Sequence, residues 1–340
     1  MYGIDGLPGS IRYKISIIGF DPVAKRETFA LPGSIGGGLD IITRTAFWIA
    51  ARTVIVLGII LFGVKTDAGE SQKSQEKASI EEEKPKALWS GDFGVNSVSA
   101  YFAFGIMQEN KGVIAEPFFD VTRTFFRGGG LVNNVTLGLQ LWSSMHSAET
   151  GAKKSSAVPW WYEFDYYVPV GLTIAKKWTL TISYLDYEFP GCAFTAQRGV
   201  QTDIAYDDSE LLGSLALHPH ALILYNFEGV LGVGRTRAWY GEIGITPTAS
   251  IAAKTGYPVS LSFPILLGFG DSHFYPGGAY GYFSVSANGS VPLAFLPKSI
   301  GSWTANAGIT YYNLGEATAT VNANRDHNAY VWQIGIRRTF

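Results

Sequence analysis

The chain has 340 residues, of which only 16% are charged and 14% are aromatic, and its formal net charge is −2. A nearly neutral chain lacks the basic surface that nucleic-acid binding needs, so we expect no nucleic acid among its partners. The single cysteine, Cys192, excludes an intramolecular disulfide and a multi-cysteine zinc site. We see no motif that requires a metal or a cofactor, and we expect neither.

The first 43 residues contain two Leu-Pro-Gly turn signals, at 7–9 and 31–33, and no clear periodic element. We interpret residues 1–43 as an extension in front of the true start of translation, because a signal-like segment follows them. Signal peptides lie at the extreme N-terminus of a chain, so this position favours the hypothesis of a mis-assigned start.

Residues 53–64 form the one sustained apolar run of the chain. The run is short for a helix that must cross about 30 Å of hydrocarbon, but it fits the core of a signal peptide. Arg44 and Arg52 supply the positive flank and Ala68 a small residue at a possible cleavage point, so a signal peptide is predicted over residues 44–68. The alternatives are an inner-membrane anchor that starts near Phe47 and a soluble core helix.

Residues 69–87 are rich in charge and almost free of large apolar side chains. Such a segment has little to bury, so it predicts a disordered periplasmic linker. A solvated helix is the alternative, since Glu and Lys are good helix formers.

From residue 88 to residue 340 the apolar side chains recur with a period of two, which predicts strands. At roughly 21 residues per strand and turn, this region holds about twelve strands that are long enough to cross a membrane at a tilt. The predicted fold is therefore all-β, a transmembrane antiparallel up-and-down β-barrel over residues 88–340. We place the strands near 92–106, 116–126, 133–145, 159–169, 178–188, 198–207, 214–226, 238–251, 257–269, 278–288, 302–313 and 328–340.

Two predicted strands contain proline, which is awkward inside a closed ladder. The seventh contains Pro219 between two histidines, and the ninth contains Pro264. Arg123 falls in phase with the apolar residues of its strand, which is tolerable only near the inner interface of the membrane.

If the apolar faces of the strands point to lipid, the opposite faces line the lumen. Five acids and one base are among these residues, so the lumen is expected to attract cations or neutral hydroxylated solutes. The alternative is a closed lumen filled by a self-satisfied hydrogen-bond network. The predicted pore-lining residues are Asp120, Gln140, Glu163, Asp165, Thr181, Ser183, Asp203, Glu242, Asn306 and Arg337.

Three small constellations offer other chemistry. His218 and His220 could bind a metal together with Asp203, although no further ligand is fixed by the spacing. Glu163 and Asp165 project together and could share a proton as an acid/base pair, although a plain pore lining is the simpler interpretation. A lipid hydrolase needs a serine nucleophile with a histidine at the membrane rim, and His146 with Ser143 or Ser144 is the nearest candidate.

The last strand carries large apolar residues on one face, namely Tyr330, Trp332, Ile334, Ile336 and Phe340, with Arg338 as the one interruption. This tail resembles the C-terminal signal of bacterial outer-membrane β-barrels. The resemblance implies that the barrel assembly machinery and outer-membrane lipids are partners of the chain. A soluble β-sandwich whose Phe340 packs into its own core is the alternative.

Residues 88–340 as a whole resemble the porin families of Gram-negative bacteria. Residues 101–108 are similar to an aromatic-x-x-Arg-Gly-Ile-x-Gln step at the end of the first strand in some of them, with Phe104 in place of the arginine. The resemblance implies a channel in the cell outer membrane for passive diffusion of small hydrophilic solutes, rather than an enzyme. The excess of acids in the predicted lumen makes this channel mildly cation-preferring. An outer-membrane lipid hydrolase and a non-conducting structural barrel are the alternatives, and the oligomeric state stays open.

Overall fold

The computed structural model describes residues 88–148, 157–229, 237–251, 258–322 and 325–340. The predicted extension (1–43), signal peptide (44–68) and linker (69–87) lie outside the described residues and stay predictions. Within the described ranges, no helix is both long enough and apolar enough to cross a membrane.

The described part of the chain is built from β-strands, with a few short helical turns in its connections. Fourteen of the strands belong to one antiparallel sheet and two form a separate hairpin. The strands are β1 (Trp89–Val98), β2 (Tyr101–Ala103), β3 (Ile106–Glu109), β4 (Ile114–Arg127), β5 (Val132–His146), β6 (Trp161–Ile174), β7 (Trp178–Glu188), β8 (Gln197–Tyr206), β9 (His220–Glu228), β10 (Ala238–Ile245), β11 (Thr248–Ile251), β12 (Val259–Ser262), β13 (Ile265–Gly270), β14 (Tyr280–Pro292), β15 (Ser302–Leu314) and β16 (Asn328–Thr339).

The large sheet closes on itself, because β1 pairs with β16 as well as with β4, and β14 pairs with β15. β10 and β11 are two parts of one spanning strand, and β12 and β13 are two parts of another. The wall therefore consists of twelve antiparallel spanning strands in up-and-down order, and the predicted fold is confirmed. An even number of strands brings both ends of the wall to the same side, which we call the inner end.

The two prolines that stood against the strand prediction, Pro219 and Pro264, lie where the ladder is interrupted, and so does a third, Pro247. Pro247 separates β10 from β11 and Pro264 separates β12 from β13, and their carbonyls still accept bonds from Phe263 and Ser286. Pro219 precedes β9, so the predicted start of that strand at residue 214 is wrong. The preceding residues form the short helix Ser209–Leu212 and the turn Gly213–Leu215 instead.

The predicted end of the first strand is also wrong. β1 ends at Val98, and β2 and β3 form a hairpin of their own that pairs with no strand of the wall. Phe104 and Gly105 form its two-residue turn with φ of 53° and 75°. Left-handed backbone at both positions is what the tightest β-hairpins require, and it places a bulky Phe in a strained conformation.

The outer surface of the wall is an apolar belt between two aromatic zones. Ile182, Ile223 and Ile334 are exposed on this surface. Toward the outer end Tyr225 packs on Trp239 with ring centroids 4.5 Å apart, and toward the inner end Trp178 packs on Tyr206 at 4.7 Å. Aromatic girdles that bracket an apolar band are the surface of a barrel embedded in lipid.

Candidate functional site

All ten polar residues predicted for the lumen lie on the inward face of the wall. The register pairs Asp120 with Gln140 and Thr181 with Asp203, so each pair shares a face. This face is the inward one, since side chains of strands that are not neighbours bond across it, as Tyr282 does to Glu242 at 2.6 Å. The alternation puts six more on it, namely Glu163, Asp165, Ser183, Glu242, Asn306 and Arg337. That they line an open pore stays a prediction.

The β2–β3 hairpin, residues 101–109, crosses the lumen at the outer end, and we call it the plug hairpin. The ring of Phe102 stacks on Tyr312 of β15 at 4.9 Å, and that of Phe104 meets Tyr240 of β10 at 4.7 Å. Tyr101 packs on Trp142 of β5 at 5.3 Å. These three strands lie on different sides of the barrel, so the hairpin spans its width.

Hydrogen bonds fix the plug hairpin at both of its strands and at its turn. The Tyr101 hydroxyl donates to Glu163 Oε2 at 2.7 Å, and the Tyr162 hydroxyl donates to Gln108 Oε1 at 2.8 Å. At the turn, the Tyr275 hydroxyl donates to the Phe104 carbonyl at 2.6 Å. The hairpin is therefore seated by specific bonds as well as by ring packing.

Two neighbouring segments close over the seat. The Met107 N–H donates to Asn322 Oδ1 at 2.8 Å, at the end of the short helix Glu316–Val321. Gly105 lies against Tyr282 so closely that a Cβ at this position would be 2.7 Å from the ring. A side chain at residue 105 would push the hairpin off its seat.

The plug hairpin changes the role of the two carboxylates that the sequence placed in the pore. Glu163 is 1% exposed and Asp165 is 4% exposed, because the hairpin and the outer aromatic residues cover them. They lie behind the closure rather than beside a water-filled path. The acid/base pair that the sequence suggested is accordingly enclosed in the described structure.

Below the plug the inward face is polar on opposite walls. Asp92 stands directly across from Asp120, and Arg337 Nη1 approaches Asp92 Oδ2 at 3.5 Å. On the other wall Gln201 Nε2 donates to Asp203 Oδ2 at 2.9 Å.

Asp92 was missed from the sequence as an inward residue, although its alternation with the outward Phe93 and Val95 predicts that position. Two carboxylates directly opposite each other repel, and one neighbouring base only partly offsets this.

The candidate nucleophile and base do meet, but in an enclosed place. Ser144 Oγ and His146 Nε2 are 2.7 Å apart, while Ser143 bonds to Trp161 and to the Glu163 carbonyl. Ser144 is 0% exposed and His146 is 2% exposed. The His146 ring stacks on Tyr162 at 4.6 Å, so the pair lies in the packed outer lumen and not at the lipid surface where the hydrolase prediction needs it.

The suggested histidine pair does not form a metal site with Asp203. His220 belongs to β9 and its Nδ1 meets the His218 carbonyl at 3.1 Å, whereas His218 itself lies in the β8–β9 turn. There its Nδ1 is 3.8 Å from Asp207 and from Asp208, and these three groups converge within 4.8 Å. The Asp208 carboxylate already accepts the N–H groups of Leu217 and His218, so its evident role is to close the turn.

Electrostatics in this turn, which lies outside the membrane-spanning strands, agree with that role. Burial of the Asp208 carboxyl acts to raise its pKa, but the backbone N–H groups of His218 and Leu217 outweigh burial and lower the pKa below its usual value. The side chain and the backbone N–H of Ser209 lower the pKa of Asp207 in the same way.

The C-terminal set lies on the outer surface of the wall. Tyr330, Trp332, Ile334 and Ile336 are exposed there. Phe340 continues the ladder, since its N–H and carbonyl both bond to Gly91 at 3.0 and 3.1 Å. The set thus lies at the seam where the last strand meets the first, and its role as an assembly signal stays a prediction.

Comparisons with known proteins return structures only. No protein-family model matches the chain. No curated protein matches it. Similar solved structures include the NanC porin (10% identity, 74% of this chain and 100% of that chain, TM-score 0.36).

Two further similar structures belong to named bacteria. One is an outer membrane channel from Pseudomonas putida F1 (9% identity, 78% of this chain and 100% of that chain, TM-score 0.41). The other is the β domain of the Bordetella autotransporter BrkA (12% identity, 74% and 98%, TM-score 0.37). Likenesses this distant say nothing of activity. The closed wall of twelve strands and its apolar belt between aromatic girdles identify the chain as an outer-membrane β-barrel.

Proposed function

We propose that the barrel is an outer-membrane channel for passive diffusion of small hydrophilic solutes, and that the plug hairpin holds its outer mouth closed until the hairpin is displaced. The observation that carries the proposal is the independence of the hairpin from the wall. β2 and β3 pair with each other alone, so the twelve-stranded wall keeps its ladder when the hairpin moves.

The charges below the plug support a mild cation preference. With Glu163 and Asp165 covered, four partly exposed inward acids remain below the plug in the described part of the wall, against one inward base, Arg337. They are Asp92, Asp120, Asp203 and Glu242. Carboxylates that face a narrow polar path concentrate cations and repel anions.

Planar-bilayer conductance tests this proposal. Replacing residues 101–108 by a Gly-Ser segment of equal length should convert rare openings into large, steady conductance steps. The matched control replaces the exposed residues Asn110 and Lys111, which follow the hairpin in the same connection, by Gly and Ser, and should behave as the wild type. All three barrels should show the gel shift between unheated and heated samples that marks a folded barrel.

A non-conducting structural barrel is the second candidate, and the extent of the plug contacts favours it. Aromatic rings from β5, β10 and β15 pack on the hairpin, as a permanently filled lumen would require. If the folded barrel without the hairpin gives no conductance steps, the channel proposal is wrong and the structural barrel stands.

A lipid hydrolase is the third candidate, because Ser144 and His146 are within hydrogen-bonding distance. Their burial argues against access by phospholipid. An assay of phospholipid hydrolysis by the purified barrel distinguishes the hydrolase from the channel and from the structural barrel. Activity that His146→Ala removes would support the hydrolase.

A further inference from the structure

One wall of the outer lumen carries polar side chains that are buried and incompletely paired. Asp165 of β6, Gln197 of β8 and Asn226 of β9 all point inward. We call these three residues the polar shelf. Gln197 is 2% exposed and Asn226 is 1% exposed, so water outside the barrel does not reach them.

The polar shelf is held together by the register of four neighbouring strands. Asp165 and Gln197 both stand directly across from Tyr187 of β7, which places the three side chains in one row. Asn226 stands across from Gly199, where a Cβ would lie 2.8 Å from Asn226 Oδ1. The glycine therefore leaves room for the Asn226 amide to extend over β8 toward Gln197.

Four atoms of the shelf lack a hydrogen-bond partner within the part of the chain that the structure describes. They are Asp165 Oδ1, Gln197 Oε1, and both Oδ1 and Nδ2 of Asn226. A buried polar group without a partner costs on the order of 1–3 kcal/mol, so a fold seldom keeps three such side chains side by side. Their position therefore indicates that something else satisfies them.

The partners that the shelf lacks are defined by its chemistry. Three of the four atoms accept hydrogen bonds and one donates, and only one of the three side chains is a carboxylate. Hydroxyl groups both donate and accept, so several hydroxyls on one solute would satisfy this set. Tyr187, which is buried directly across from Asp165 and Gln197, supplies the apolar surface on which a sugar ring packs.

We propose that the polar shelf is a binding subsite for a neutral polyhydroxylated solute on the path through the channel. The inference rests on the proposed function, because the shelf becomes accessible only when the plug hairpin is displaced. It goes beyond that function by naming the solute class and the residues that select it. The carboxylate of Asp165 and the two amides replace water around the hydroxyls as the solute passes.

Sucrose as a current blocker tests the proposal in the barrel whose residues 101–108 are replaced by Gly-Ser. Sucrose should block the current in a saturable manner. Asn226→Leu and Gln197→Leu should each raise the half-blocking concentration of sucrose about tenfold, because each variant removes the hydrogen bonds between one buried amide and the sucrose hydroxyls. The matched control is Gln201→Leu, an inward amide on the same strand as Gln197 whose Nε2 is already bonded to Asp203. It should leave the block unchanged.

The outcomes separate the two proposals. No conductance from the folded barrel without its hairpin contradicts the channel itself. Normal conductance with no saturable block by sucrose contradicts the subsite and means that the shelf holds water only. Block that survives both Leu substitutions contradicts it as well. Thermal unfolding of the Leu variants supplies a second readout, because removing unsatisfied amides without a ligand should raise stability or leave it unchanged.

Discussion

The hydroxyl of Tyr101 donates a 2.7 Å hydrogen bond to Oε2 of Glu163, and both side chains are buried. One residue belongs to the plug hairpin and the other to the wall. The bond therefore ties the plug hairpin directly to a carboxylate of the wall.

Tyr101→Phe should loosen this attachment. The variant keeps the ring that packs on Trp142 but removes the O–H donor, which leaves a buried carboxylate without that partner at a cost of roughly 1–3 kcal/mol. We expect longer and more frequent openings in single-channel recordings, with an unchanged wall. The matched control is Tyr311→Phe, whose hydroxyl bonds to Asn328 at the outer rim. Equal gating in the two variants would show that the bond does not hold the plug.

Neutralising the inward acids below the plug should weaken cation preference. Asp120→Asn combined with Asp203→Asn removes two carboxylates that face the inner half of the lumen, whereas Arg337→Gln removes the base beside Asp92. The reversal potential in a salt gradient should move toward zero in the first variant and away from zero in the second. Movement in the same direction for both variants would contradict the charge argument.

The sequence was sufficient to predict which side chains point outward and which point inward. Side chains alternate along a strand, so once the apolar ones are assigned to the lipid face the others must face the lumen. Val121 and Leu139 point outward, and Asp120 and Gln140 consequently point inward. The same rule placed Arg123 outward, where its guanidinium lies over the Trp89 ring at 5.4 Å near the inner end. The alternation within each strand was sufficient to predict the orientation of all five side chains.

The plug hairpin was not predictable in this way. Tyr101 and Ala103 continue the alternation of β1, so nothing local distinguishes a strand that continues from a hairpin that folds back. The Phe104–Gly105 dipeptide is the one local signal of the turn, and it lies inside the segment that resembles a porin motif. The burial of Glu163 depends on Tyr101, 62 residues away, and a contact at that distance leaves no trace in the pattern of one strand.

The β8–β9 turn should open in acid. The pKa of Asp208 is lower in the folded state than in the unfolded chain, so its contribution to stability is full above the unfolded value of about 4 and is lost as pH falls through the lowered value. The protection of the Leu217 and His218 amides, measured as their exchange relative to the intrinsic rate at each pH, should therefore fall below about pH 4. In Asp208→Ala this protection should already be low at neutral pH, and slow exchange there would contradict the role of the carboxylate.

His146→Ala should affect stability and not lipid turnover. The ring stacks on Tyr162 and meets Ser144, so its loss leaves a cavity and an unpaired hydroxyl, at a cost of about 2–4 kcal/mol. Denaturant unfolding should show this loss, and phospholipid incubated with either barrel should stay intact.

Phe340 should matter for closure of the barrel. Its backbone pairs with Gly91, and its ring lies 6.4 Å from those of Phe93 and Phe119. Deleting it should lower the amount of assembled barrel in cells while synthesis stays unchanged, because the seam loses its last bonds and the assembly machinery loses the aromatic residue it is expected to recognise. The gel shift of unheated outer-membrane fractions measures the assembled amount.

The variant Gly91→Val distinguishes the packing contact of Phe340 at the seam from recognition of Phe340 by the assembly machinery. A Cβ at residue 91 would lie 2.7 Å from the Phe340 ring and would also meet the Asp120 carbonyl oxygen of β4, so this variant disturbs the seam and the neighbouring ladder while leaving Phe340 in the sequence. If recognition dominates, the deletion should impair assembly in cells far more than Gly91→Val does, whereas the two should refold equally poorly in detergent. The control is Phe295→Ala in an inner-end turn, where the ring is exposed. Normal assembly after deletion of Phe340 would show that neither the contact nor the resemblance governs closure.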